Sequence, residues 1–91
     1  MPKYIIERNM AAVGNAPRSV LKSTSEKSND VLKELGPKIQ WLESYVTKDK
    51  IYCVYIAANE DLIRQHAERV GIPADEIVEV RTIIDPTTAE Q

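Results

Sequence analysis

Two helix-closing signals, Gly36-Pro37 and Gly71-Ile72-Pro73, partition this sequence. Glycine adopts the left-handed conformation that ends a helix, and proline cannot continue one. Upstream of the first, Val20, Leu21, Val31, Leu32 and Leu35 recur at helical spacing between Arg18 and Leu35. Pro17 suits a first turn there, with Asn15 or Ser19 as the cap. Upstream of the second, Leu62, Ile63, Ala67 and Val70 form a stripe that also contains His66, with Asn59 as cap and Asp61 in the first turn. Four runs rich in β-branched and aromatic residues flank these helices: Lys3 to Arg8, Lys38 to Val46, Ile51 to Ala57, and Glu76 to Ile84. Thr47-Lys48-Asp49-Lys50 reads as a tight turn that sets Val46 opposite Ile51 and Tyr45 opposite Tyr52. Asp85-Pro86 stops the last run, and residues 86–91 are expected to fray.

The order is strand, helix, strand, strand, helix, strand. With right-handed crossovers it predicts an α+β fold of ferredoxin-like βαββαβ type, a four-stranded antiparallel sheet with two helices on one face. Ninety-one residues make a single domain, 1–91. A chain of this size buries only about 60–65% of its unfolded surface, so a second copy would help it.

Alternation divides the strand residues between two faces. One set is Ile5, Glu7, Trp41, Glu43, Tyr45, Tyr52, Val54 and Ile56; the other is Tyr4, Ile6, Leu42, Ser44, Val46, Ile51, Cys53 and Tyr55. Both are largely apolar, more than a sheet with one wet face requires. A homodimer through the uncovered face is therefore expected. The pattern alone does not say which face the helices cover.

Charge narrows the partners. The formal net charge of −2 leaves no basic footprint for nucleic acid or for an anionic membrane. No segment reaches the eighteen or so apolar residues of a membrane span. The N-terminus, Met1-Pro2-Lys3-Tyr4-Ile5-Ile6-Glu7, has no signal-peptide pattern, so a cytoplasmic location is expected. Cys53, the one cysteine, permits no intrachain disulfide and reads as a small inert hydrophobe.

Polar residues fall where a core is expected. Between Leu21 and Val31 the inward positions of the first helix carry Thr24, Ser25 and Ser28. Buried polar groups must be paired or wetted, so a pocket between sheet and helices is expected. Its candidate ligand-binding residues are Ser25, Trp41, Glu43 and Tyr45, with Glu7 and His66 as the first polar contacts. No GxGxxG, P-loop, HExxH or CxxC motif is present. An alternative is a cofactor-free enzyme of dimeric α+β barrel type, with His66 and a carboxylate as its acid and base.

Tyr4-Ile5-Ile6-Glu7-Arg8-Asn9, Ile51-Tyr52-Cys53-Val54-Tyr55-Ile56-Ala57 and Pro73-Ala74-Asp75-Glu76-Ile77-Val78-Glu79-Val80 together resemble a family of small bacterial proteins. It is a domain-of-unknown-function family, one branch of which is described as nickel-binding. The resemblance covers about residues 3–80 and implies a ferredoxin-like dimer. It also implies a metal site of histidine and carboxylate ligands, with Ni²⁺ or another divalent ion as the candidate cofactor and Glu7 and His66 as the ligands here. Members of that branch carry His where this chain has Glu7 and Ser25, and Glu where it has Ile56; His66 matches. The resemblance further implies that the Glu7 and Ile56 face turns toward the helices, beside Ser25 and His66, leaving Tyr4, Ile6 and Cys53 to face a partner.

Overall fold

A computed structural model describes all of residues 1–91. The strands are β1 (Lys3–Asn9), β2 (Ile39–Val46), β3 (Lys50–Ala57) and β4 (Glu76–Glu79); the helices are α1 (Arg18–Leu35) and α2 (Glu60–Val70). All pairings are antiparallel, in the order β2-β3-β1-β4. This is the ferredoxin-like arrangement that the punctuation predicts. No helix is long and apolar enough to cross a membrane.

Local chemistry explains the boundaries. Asn59 caps α2 by accepting a hydrogen bond from the Leu62 amide at 3.0 Å, and Gly71 closes it with φ of 84°. Pro17 stands at the N-cap of α1 and no side chain caps that end, so neither Asn15 nor Ser19 takes the role. The β2–β3 turn pairs Val46 with Ile51 and Tyr45 with Tyr52, as expected. Residues 86–90, expected to fray, wind into an exposed 3-10 turn capped by Asp85.

β4 is shorter than its apolar run. It ends at Glu79 rather than Ile84, because its partner β1 begins at Lys3 and Tyr4 already pairs with Glu79. The Val80 amide still donates to the Lys3 carbonyl at 2.8 Å, and farther along Ile83 and Ile84 stand exposed.

The helices cover the face opposite to the one the resemblance implies. Tyr4, Ile6, Cys53, Tyr55 and Ala57 are buried, and with Ile39 and Ile63 they form the core. Ile5, Glu7, Glu43, Tyr45, Tyr52, Val54, Ile56 and Val78 lie on the uncovered face. Both sets carry large apolar residues, with Glu7 and Glu43 on the uncovered one, so apolar content alone does not choose the face. Packing against Val31, Ile63, Ala67 and Val70 does.

β2 departs from strict alternation. A bulge between Trp41 and Glu43 makes Leu42 the extra residue. Trp41 consequently opposes Tyr55 on the covered face, while Leu42 is 45% exposed. The alternation assigned each to the other side.

Candidate functional site

The short side chains of α1 leave a cleft. Thr24, Ser25 and Ser28 replace the large residues that would fill the space over the sheet, and a cavity of about 220 Å³ results. Its apolar walls include Met10, Leu21, Trp41, Ile51 and Ile72, and Val20 and Val46, both nearly half exposed, belong to its lining. Its polar lining is Arg8, Thr24, Ser25, Ser28, Ser44 and Tyr55. The Trp41 indole donates to Ser44 Oγ at 2.9 Å, which holds one wall in place. A second, wider depression around Asn29, Leu32, Lys33, Gly36 and Pro37 lies open at the end of α1. It offers little apolar wall and would leave a guest hydrated.

A cluster of buried polar side chains lies beneath the cleft. His66 is fully buried, and its Nε2 is hydrogen-bonded to Ser28 Oγ at 2.9 Å. Its ring meets Tyr55 at 5.3 Å between centroids. Burial, seconded by the positive charge of Arg8, pushes the imidazole down from 6.5 to about 4, although the Ser28 backbone works the other way. Burial also pushes the Tyr55 hydroxyl up to about 12. His66 is therefore neutral at pH 7, with its Nδ1 unpartnered.

Arg8 is the residue that sequence reasoning missed. It is 1% exposed, with Nη1 donating to the Pro73 carbonyl at 2.6 Å and Nε to Cys53 Sγ at 3.4 Å. The clue was in the alternation: Arg8 follows Tyr4 and Ile6 on one face of β1. A charged residue at a strand end is ordinarily read as wet, and a long aliphatic stem hides this one. Burying a guanidinium without a counter-ion costs on the order of several kcal/mol, so the position is an expensive one.

The expected site residues separate into two groups. Ser25 and Trp41 line the cleft, and His66 lies one hydrogen bond behind it through Ser28. Glu7, Glu43 and Tyr45 are on the other side of the sheet. There Glu7 pairs with Lys50 at 2.6 Å and accepts a longer bond from the Tyr52 hydroxyl, while Tyr45 donates to Glu43. The sheet thus stands between Glu7 and His66. The same separation removes the carboxylate partner that an acid–base role for His66 requires.

The model of one protein family matches residues 4–80, most of the domain. The chain belongs to the nickel responsive protein SCO4226-like family. The crystal structure of SCO4226 from Streptomyces coelicolor A3(2) matches it with a TM-score of 0.76 and 19% identity, over 90% of this chain and 99% of that one. At that identity the likeness speaks to the fold. No curated protein matches the chain.

Nickel fits the residues of this SCO4226-like chain poorly. No three His, Cys, Asp or Glu side chains are grouped so as to hold an ion. His66, the one histidine, sits beside a guanidinium that would repel a cation. The chain shares the family's fold without a donor set that would hold nickel.

Proposed function

We propose that this protein is a homodimeric small-ligand-binding module, with the cleft between α1 and the sheet as its site. The observation that carries the reading is the cleft itself: apolar walls, convergent hydroxyls, and an origin in three consecutive small inward positions of α1. Interiors otherwise pack with few voids larger than a water molecule. A volume of about 220 Å³ suits a guest of benzene size or somewhat larger, since a cavity of about 150 Å³ holds benzene. Titration with benzamide, followed by amide NMR shifts, tests this. Signals of Ser25, Ser28, Trp41 and Cys53 are expected to move together and saturate in the millimolar range, and Ser25→Phe, which fills the cleft, is expected to abolish the response. Shifts scattered over the surface, or none at the cleft up to about 10 mM, would refute the reading.

The uncovered sheet face supports the dimeric part. Ile5, Tyr45 and Val78 are exposed on it, beside the partly exposed Tyr52, Val54 and Ile56. An apolar patch such as this, bordered by Glu7 and Glu43, marks an interaction surface, and a twofold contact would set it against its own copy. Light scattering is expected to give twice the 10.3 kDa chain mass, and Val54→Lys to halve it. A wild-type monomer at micromolar concentration would remove the dimer and leave the cleft reading untouched.

A further inference from the structure

The Arg8 guanidinium is a positive charge with nothing negative to meet it. It takes part in none of the ion pairs, so no carboxylate oxygen lies within 4.0 Å of its nitrogens. Two of those nitrogens are anchored, one on a neutral carbonyl and one on sulfur, a poor acceptor. The third, Nη2, is buried without a hydrogen-bond partner. Arg8 is also part of the cleft lining. Resting on the ligand-module reading, we infer that the cleft takes a small organic monoanion, a carboxylate on a compact apolar body, whose charge is received by Arg8.

Three features of the site define that ligand. The guanidinium charge complements that of a carboxylate, and a charge-assisted bond is about twice as strong as a neutral one. Only one nitrogen of the fork is uncommitted, which suits a single carboxylate better than a cluster of phosphates. The volume of about 220 Å³ excludes a nucleotide, and the walls of Trp41 and Ile51 call for an apolar body behind the charge. A free inorganic anion would meet Arg8 but leave those walls without an apolar contact. The same buried charge makes the cleft inhospitable to a cation.

Benzoate and benzamide are close in shape and differ in charge, so the pair isolates the inference. In the wild-type protein benzoate is expected to bind at least about tenfold more tightly than benzamide, the gain of one charge-assisted hydrogen bond. Benzoate is also expected to shift the Arg8 Nε resonance, and inorganic phosphate to bind more weakly than benzoate. Arg8→Met is expected to bring benzoate down to the affinity that the same variant shows for benzamide. Should that variant not fold, the wild-type affinity ratio and the Nε resonance decide the matter. Equal binding of the two probes at the cleft, or an unmoved Arg8 signal, overturns the anion assignment and leaves the module standing. Phosphate binding as tightly as benzoate overturns the apolar body. Absence of both benzoate and benzamide from the cleft overturns the module itself, and this inference with it.

Discussion

Ile6→Ala is expected to destabilise the protein by about 2–5 kcal/mol, while its neighbour Ile5→Ala costs under about 1 kcal/mol in the monomer. Ile6 has no exposed surface and packs in the cluster with Tyr4, Cys53, Tyr55 and Ile63. Ile5 opposes Val54 on the uncovered face and is 37% exposed. The removed atoms are the same, so the difference is set by the cavity left behind and by the helices above it. Urea unfolding of both variants at low protein concentration measures it. Equal losses, or a larger loss at Ile5, would mean that the helices cover the other face. Raising the concentration should widen the effect at Ile5 alone if two uncovered faces associate.

Acid should weaken the fold through His66. In the native protein this imidazole is pushed down to about 4, against 6.5 for a free one. Between those values the unfolded chain binds a proton that the native state refuses, so stability rises with pH across the window. The contribution is complete above pH 6.5, falls as the pH drops toward 4, and stays lost below that. The difference in proton affinity corresponds to about 3 kcal/mol, a large part of the ~5–15 kcal/mol that holds a typical domain together. His66→Gln keeps a hydrogen-bonding side chain but cannot titrate. Its unfolding midpoint is therefore expected to fall less steeply than that of the wild type between pH 6.5 and 4. Parallel curves would show that His66 does not carry the acid sensitivity.

Most of the architecture was legible because its signals are local. Gly36 and Gly71 end their helices through conformations that glycine adopts without strain, and Asn59 caps α2 within its own turn. The pairing of Val46 with Ile51 follows from the length of one turn. The cleft was legible for a related reason: Thr24, Ser25 and Ser28 leave space wherever α1 packs. What the residues did not disclose is non-local. Trp41 changes sides because of a bulge, and the Arg8 stem is buried because Pro73, from the far end of the chain, meets its guanidinium.

The sequence by itself determined the βαββαβ order, the helix ends, the hairpin register and the small residues from which the cleft arises, each through short-range conformational preference. Only the tertiary structure decided which of two similar apolar faces the helices cover. That choice set Glu7 against Lys50 on one side of the sheet and left Arg8 and His66 on the other. Its physical reason is that hydrophobic burial has no direction of its own: two faces that both carry large apolar residues are separated by the fit of whole elements against one another.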